Sequence, residues 1–474
     1  MLIVLTALVF LFFGWESASR LSRGRESTPL ERATWAMSIA LGTWLASLWL
    51  IALAHSLTPT VLIVRTICVA IAASVLRARR PFGLRDVHVS GIVMSVVVVI
   101  AAWTAFILWR GALVPPLSHD ALSYHLPKAV LYARAGGFEV FEMLDPRARD
   151  LPVNYELLLS EFIVLGRNDK LTEWLSLFFY AGFILAVGAL AERWWPRRSA
   201  GAAAVVCVLA AGVPVVLLHS GAHKNDLMTA FCIAAALVTA GRWITTRERF
   251  ALLLSIALFA MAVGTKPQGA IAALALVPFL AWRWWTIPHR WRELMLAVCF
   301  AILSFALLGG AVYAANALRH EEAAPAAQFN SNVASLPVLY GDWSNLWQAP
   351  YVLLAAPFSR HWMALRVPWE SEPWFWRRYD LYISHAGIPF ALCALALPFV
   401  VLRFRREDGP APERMAILVA SLATTAAMLP VFFAPHGFYA ISLPRYIAFL
   451  YPVVFAWVVP PLLQSVSRMV AMIV

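Results

Sequence analysis

Residues 171–198 read LTEWLSLFFYAGFILAVGALAERWWPRR, an apolar run that gives way to three arginines, Arg193, Arg197 and Arg198. A helix of about 20 predominantly apolar residues is what it takes to cross a hydrocarbon core roughly 30 Å thick. Arginines gathered at one end of such a run mark the cytoplasmic side. The same unit recurs along the 474-residue chain, with about thirteen candidate spans at 2–16, 33–55, 59–77, 88–109, 170–191, 199–219, 227–244, 250–264, 268–286, 293–316, 386–403, 414–434 and 446–468.

Composition agrees with that reading. The chain is 61% hydrophobic and 14% charged, with a mean hydropathy of +0.73. Soluble domains run at about 45–50% apolar and about 25% charged, so a water-facing fold could not hide this much apolar surface. A membrane β-barrel would alternate in segments of about ten residues, and no such alternation is visible. The expected fold is therefore an all-α polytopic membrane protein. The formal charge of +12 comes from arginines in short loops between apolar runs, which is how topology determinants are placed, and nucleic acid is excluded as a partner. Cys68, Cys207, Cys232, Cys299 and Cys393 all fall inside apolar runs and read as small core residues. The first span has no basic residue before it, which argues against a cleaved signal peptide.

Orientation follows from the basic loops. One set holds Arg20, Arg23, Arg25 and Arg32, then Arg77, Arg79, Arg80 and Arg85, then Arg193, Arg197 and Arg198. It continues with Arg242, Arg247 and Arg249, with Arg283, Arg290 and Arg292, and with Arg403, Arg405, Arg406 and Arg414, and Arg468 ends it. These loops alternate strictly with the others. The positive-inside rule makes them cytoplasmic and places the N-terminus outside and the C-terminus inside a plasma or inner membrane. Two long connections, 110–169 and 317–385, then fall outside. Each carries an amphipathic stretch, Leu126 to Tyr132 and Leu346 to Phe358, expected to form interfacial helices. Trp362, Trp369, Trp374 and Trp376 would anchor the second at headgroup depth.

The expected outer side collects polar groups that topology does not require. Asp120-Ala121-Leu122-Ser123-Tyr124 would put Asp120, Ser123 and Tyr124 on one helical face. A carboxylate just past a span, in falling dielectric, suits a general base. It would equally cap the following helix, and the two roles are compatible. His223-Lys224-Asn225-Asp226 forms a tight polar turn in which Asp226 would contribute to the site or cap a helix, with Lys224 snorkelling to the interface. Lys266, in Gly264-Thr265-Lys266-Pro267, runs against the basic-residue trend and calls for an anionic partner: a carboxylate of this protein or a phosphate. Arg445, in Pro444-Arg445-Tyr446, offers a fork suited to phosphate, or is simply interfacial. A base for an acceptor proton and cations for a departing phosphate are the parts that transfer from a phosphate-linked sugar requires.

The stretch Asp120-Ala121-Leu122-Ser123-Tyr124-His125-Leu126-Pro127-Lys128 resembles the first outer-loop motif of GT-C integral-membrane glycosyltransferases. It is most similar to a subgroup carrying an Asp-Ser-Leu-Thr/Ser-Tyr-His-Leu-Pro-Arg pattern within the protein-mannosyltransferase and aminoarabinose-transferase-like clan. Asn225-Asp226-Leu227, Gly264-Thr265-Lys266 and Arg445-Tyr446 follow in that subgroup's order, and the resemblance spans roughly residues 88–460. It implies a GT-C-like core over 88–316, with the first outer loop at 110–169, preceded by a three-span extension, 1–87. The second outer loop, 317–385, and a three-span bundle, 386–474, complete the expected organisation. It further implies a polyprenyl-phosphate sugar donor, a glycan, lipid or protein acceptor, and an outward-facing site surrounded by membrane lipids. Asp120 would be the base of an inverting transfer and Asp226 the acidic position of the second loop. Substrate contacts would come from His119, Tyr124, His125, Lys224, Asn225, Lys266, Arg445 and Tyr446. The chain departs from many relatives in one respect: His119 and Ala121 flank Asp120, where two adjacent acidic residues are common. No cofactor is expected, although His119, Asp120 and Asp226 are ligand types for a divalent ion.

Two other classes fit parts of the pattern. A lipid-linked glycan transporter or flippase would show inverted repeats with broken helices at mid-membrane, and no internal repeat is evident. A glycan polymerase or ligase would lean on Arg360, His361, Arg377, Arg378 and His385 in the late loop and would not need Asp120. In the transferase reading, specificity belongs to that same loop, where Tyr340, Asp342, Trp343, Glu370, Glu372 and Asp380 supply hydroxyl- or metal-binding groups.

Overall fold

The computed structural model describes residues 2–23, 25–77, 91–113, 116, 120–141, 151–195, 200–286, 290–318, 386–407, 412–433 and 443–473. His119 and the late-loop residues singled out above, from Tyr340 to His385, lie outside that set. Among the described residues the protein is helical throughout, with no strand. Its helices are α1 (Leu2–Leu21), α2 (Pro29–Leu53), α3 (Pro59–Leu76), α4 (Gly91–Leu113), α5 (Leu126–Ala135) and α6 (Asn154–Gly166). Next come α7 (Trp174–Trp194), α8 (Ala200–Ala211), α9 (Pro214–His219), α10 (Asp226–Thr246), α11 (Arg249–Val263) and α12 (Gln268–Trp285). Then follow α13 (Arg290–Leu308), α14 (Gly310–Leu318), α15 (Ile388–Glu407), α16 (Pro412–Phe433), α17 (Leu443–Tyr446) and α18 (Leu450–Ile473).

Every apolar run read as a span falls on one of these helices or on a broken pair. Six helices, α1, α2, α3, α7, α10 and α13, are long and apolar enough to cross a membrane, and shorter apolar helices lie within 201–211, 249–263, 388–403 and 450–465. The protein is a multi-pass membrane protein. Local chemistry sets the helix starts. Thr28 and Thr58 accept hydrogen bonds from the backbone of Glu31 and Val61, each just before a proline at the first helical position, where a missing N–H costs nothing. The run 199–219 breaks at Val213, held extended by Pro214. The run 293–316 breaks at Gly309, which lies against Gly264 so closely that a Cβ on either would strike the other's backbone.

Ile71, Val75, Leu274, Ile302 and Phe399 point outward from α3, α12, α13 and α15, as lipid-facing positions should. Inside, α10 is buried from Asp226 to Ile244. Among its described residues the connection 110–169 carries the helices α5 and α6. Of these α6 is wholly enclosed from Asn154 to Phe162, packed against α1, α2, α3 and α5.

The arginine-bearing loops meet at one end of the bundle. Arg242 of α10 reaches Glu31 of α2 at 3.0 Å and Glu248 before α11 at 2.7 Å. Arg193 of α7 lies 3.5 Å from Glu31 and 3.8 Å from Glu413 of α16. Arg25, after α1, lies 3.4 Å from Glu248. These pairs place the C-terminal ends of α7 and α10 and the N-terminal ends of α2, α11 and α16 together, and the polar turn at the N-terminal end of α10 lies at the opposite end of that helix.

Candidate active site

The motif after α4 folds as a π-helical turn, Ala121–His125, before running into α5. The wider turn bonds Leu126 N–H to Ala121 C=O, an i→i+5 contact, in place of the α spacing expected for Asp120, Ser123 and Tyr124. Asp120 stands at the head of this turn with helical backbone angles, and its side chain makes no capping bond. The capping role is not realised there. Its carboxylate is instead taken by cations from elsewhere in the chain. Lys224 Nζ lies 3.0 Å from Asp120 Oδ2, and Arg445 Nη1 lies 3.5 Å from the same oxygen.

A second carboxylate sits beside the first. Asp226 occupies the first position of α10, with Asn225 before it, so it does not cap that helix either. Lys266 is ion-paired to Asp226 Oδ1, and His219 Nδ1 lies 3.5 Å from Oδ2. Arg445 and Lys224 also act electrostatically on Asp226, which joins the two carboxylates into one cluster. Tyr446 adds an aromatic ring: Lys266 Nζ stands 4.5 Å from the ring centroid and the Arg445 guanidinium carbon 5.1 Å, each a cation–π contact. Asn225 Nδ2 donates to Thr265 C=O at 3.2 Å, tying the 223–226 turn to the 264–267 turn, while its buried Oδ1 has no partner among the described residues.

Behind this cluster lies a buried polar layer. His125 Nδ1 and Glu156 Oε1 are 2.6 Å apart, and His125 stacks edge-on against Tyr155 with centroids 5.5 Å apart. His223 Nε2 meets Thr172 Oγ1 at 2.6 Å. Burial, with His125 and Arg110 nearby, pushes the His223 imidazolium down to about 3, so this histidine is neutral at physiological pH. Burial raises the Glu173 carboxyl, and the Arg110 guanidinium at 3.0 Å opposes that rise. Arg110 also donates to Gly221 C=O, joining α4 to the loop that leads into the Lys224 turn.

Among the described residues three cations, Lys224, Lys266 and Arg445, thus face two carboxylates, Asp120 and Asp226, around Tyr446. Such a cluster can accept an anion, and its carboxylates can accept a proton. Of the residues expected from the sequence, Asp120, Lys224, Asn225, Asp226, Lys266, Arg445 and Tyr446 come together directly. Tyr124 and His125 lie one turn along from Asp120, buried, their rings 4.0 Å apart. Among the described residues no three His, Cys, Asp or Glu side chains converge as a metal-binding group.

Sequence reading missed His219 and Glu156. His219 closes an apolar run and is hidden by it. Glu156 had a signal, because Asn154-Tyr155-Glu156 is a polar triplet opening a helix that is mostly apolar beyond it apart from Ser160 and Glu161.

No family model matches the chain, and no curated protein matches it. Among solved structures, the chain is similar to ArnT from Cupriavidus metallidurans bound to undecaprenyl phosphate, with a TM-score of 0.40, 15% sequence identity and 77% of each chain covered.

Proposed function

We propose that this protein is a membrane glycosyltransferase that moves a sugar from a polyprenyl-phosphate donor to a glycan, lipid or protein acceptor. The reaction takes place on the side of the membrane opposite the arginine-rich loops, with the N-terminus outside and the C-terminus cytoplasmic. The observation that carries the reading is the meeting of Asp120 with Lys224 and Arg445 on a single carboxylate oxygen, at 3.0 and 3.5 Å, from segments far apart in the chain. The order of motifs along the sequence supports it independently.

In this reading Asp120 takes the proton from the acceptor hydroxyl as that oxygen bonds to the anomeric carbon of the donor sugar. The bond from that carbon to the phosphate oxygen breaks, and the phosphate leaves carrying the electron pair. Lys224, Lys266 and Arg445 stabilise the charge that develops on it. Asp226 holds Lys266 and, with His219, keeps the second half of the cation cluster in place.

The test is the Asp120→Asn variant in vesicles supplied with a polyprenyl-phosphate sugar and an acceptor extract. General-base loss lowers transfer by about 10²- to 10⁴-fold while the protein stays inserted and folded. Undiminished transfer removes the base assignment. Movement of the donor between leaflets without transfer turns the reading toward a flippase.

A further inference from the structure

The head of α6 reaches three of the four segments that carry the cluster through three consecutive residues, two directly and one by way of Ser176. Asn154 donates its backbone N–H to Gly264 C=O at 3.0 Å. Its Nδ2 donates to Met261 C=O at 3.2 Å and to Leu308 C=O at 2.5 Å. These bonds hold the Gly264-Thr265-Lys266 turn. Tyr155 Oη meets Ser176 Oγ at 3.1 Å, and Ser176 Oγ donates to Ala222 C=O at 2.6 Å, just before Lys224. Glu156 Oε1 lies 2.6 Å from His125 Nδ1, on the π turn that begins after Asp120. All three side chains are buried. Burying an amide, a phenol and a carboxylate costs stability unless each finds partners, and a bonded polar network fixes geometry more tightly than apolar packing does.

The same helix is gripped from the other side by the N-terminal three helices. Trp49 Nε1 of α2 donates to Asn154 Oδ1 at 2.7 Å. Two turns further on, Arg65 of α3 is ion-paired to Glu161, and Trp44 Nε1 donates to Glu161 Oε2 at 2.8 Å. The Arg65 guanidinium lies 5.0 Å from the centroid of the Phe10 ring of α1. Arg65 is a charge in the interior of an apolar helix, and its partner comes from α6 and not from the N-terminal helices themselves.

We infer that Asn154, Tyr155 and Glu156 are positioning residues that set the separation of the loops bearing Asp120, Lys224 and Lys266, and that α1–α3 fix this element in register through Trp49, Trp44 and Arg65. What the loops do rests on the glycosyl-transfer reading; the bracing stands on the contacts alone. Because each residue faces a different loop, the variants separate. Loss of the Glu156 contact shifts the base, whereas loss of the Asn154 amide shifts a phosphate-binding lysine.

The experiment is hydrogen–deuterium exchange on the full-length protein in lipid nanodiscs, paired with transfer kinetics and binding of undecaprenyl phosphate. Asn154→Asp keeps the volume and the acceptor for Trp49 but removes the two amide donations. Its expected signature is faster exchange confined to 261–268 and a donor KM and undecaprenyl phosphate Kd raised about tenfold, with kcat little changed. Glu156→Ala speeds exchange confined to 120–127 and lowers kcat by about ten- to hundredfold, the scale of a 1 Å misplacement, with donor KM within about threefold. Glu156→Gln, which keeps an oxygen for His125, restores most of that kcat.

Unchanged exchange in both facing loops overturns the bracing, whatever reaction the protein performs. Faster exchange throughout the chain, with kcat and KM moving alike in all variants, also overturns it, since the contacts would then only hold the fold together. Localised exchange in a protein that neither transfers sugar nor binds undecaprenyl phosphate upholds the bracing and sinks the glycosyltransferase reading.

Discussion

Two ionic clusters stand at opposite ends of this helix bundle, and they are made of different residues. At the arginine end, Arg193 and Arg242 each hold two carboxylates, with the buried Glu31 shared between them. At the other end two lysines and one arginine share two aspartates, and one oxygen of Asp120 serves two cations. Guanidinium forks are always charged and geometrically exacting, which suits permanent clamping of helix ends. Ammonium groups are compact point charges on flexible stems that can turn from one anion to another. The arginine end is a clamp. The lysine end is a cluster that can admit a further anion, and its cations come from turns and the four-residue α17, with Asp226 at the first position of α10.

The sharpest way to break that contrast is at Glu31. Replacing it by Gln leaves Arg193 and Arg242 with an uncompensated share of buried charge, a loss of about 3–5 kcal/mol for pairs of this kind. The expected result is a clear fall in thermal unfolding temperature in detergent, with the transfer rate per folded molecule unaltered. If Glu31→Gln instead abolished transfer at unaltered stability, the division between clamp and reaction site would collapse.

Lys266 probes the other end. It pairs with Asp226 and lies over Tyr446. Losing one charge-assisted contact to a phosphate costs about 1.5–3 kcal/mol. Lys266→Ala should therefore raise the donor KM and the Kd for a polyprenyl phosphate by about ten- to hundredfold, and Lys266→Arg should recover much of that. Equal donor affinity in Lys266→Ala and the unaltered protein would remove Lys266 from phosphate binding.

How much of this could be read from the sequence differs between the two ends. The arginines announce themselves through hydropathy and charge placement, because a charge beside a long apolar run has few places to go. Their partners do not: nothing local to Glu31 or Glu413 says that Arg193 will find both. At the lysine end, Asp120, Asp226, Lys266 and Arg445 were legible because each interrupts the apolar pattern on the same side of the alternation. Their mutual distances were not, since the bonds span up to 325 positions along the chain. The role of the N-terminal helices was illegible for the same reason. In sequence Arg65 stands alone as a charge within the run 59–77, and its carboxylate, Glu161, belongs to a helix about 100 residues further on. The π turn was hidden too, because a motif of this composition forms an α-turn equally well.

His223 separates charge from neutrality in the polar layer beneath the cluster. Its imidazolium is pushed down to about 3 by burial and by neighbouring His125 and Arg110. Since the folded value lies below the ordinary histidine value of about 6.5, the unfolded chain takes up the proton first. His223 thus imposes no penalty above pH ~6.5 and destabilises the fold as pH drops below it, by up to about 1.4 kcal/mol per unit. Unfolding of the unaltered protein and of His223→Gln, compared at pH 7.5 and pH 5, should show about 2 kcal/mol less acid sensitivity in the variant. Equal acid sensitivity would mean that His223 is not held neutral.

Arg249 and Glu293 provide the smallest effect and the control for the whole contrast. They lie at the arginine end and use the same chemistry as the clamp, with Arg249 Nε donating to Glu293 Oε1 at 2.7 Å. The Arg249 side chain, however, is 60% exposed, against 2% for Arg242. An exposed pair gains little Coulomb energy and gives up side-chain freedom, so its net worth is about 0–1 kcal/mol. Arg249→Ala should therefore lower stability by less than about 1 kcal/mol, and the loss should shrink further in high salt. A loss comparable to that of Glu31→Gln would show that location at this end of the bundle, and not burial of the pair, makes an arginine into a clamp.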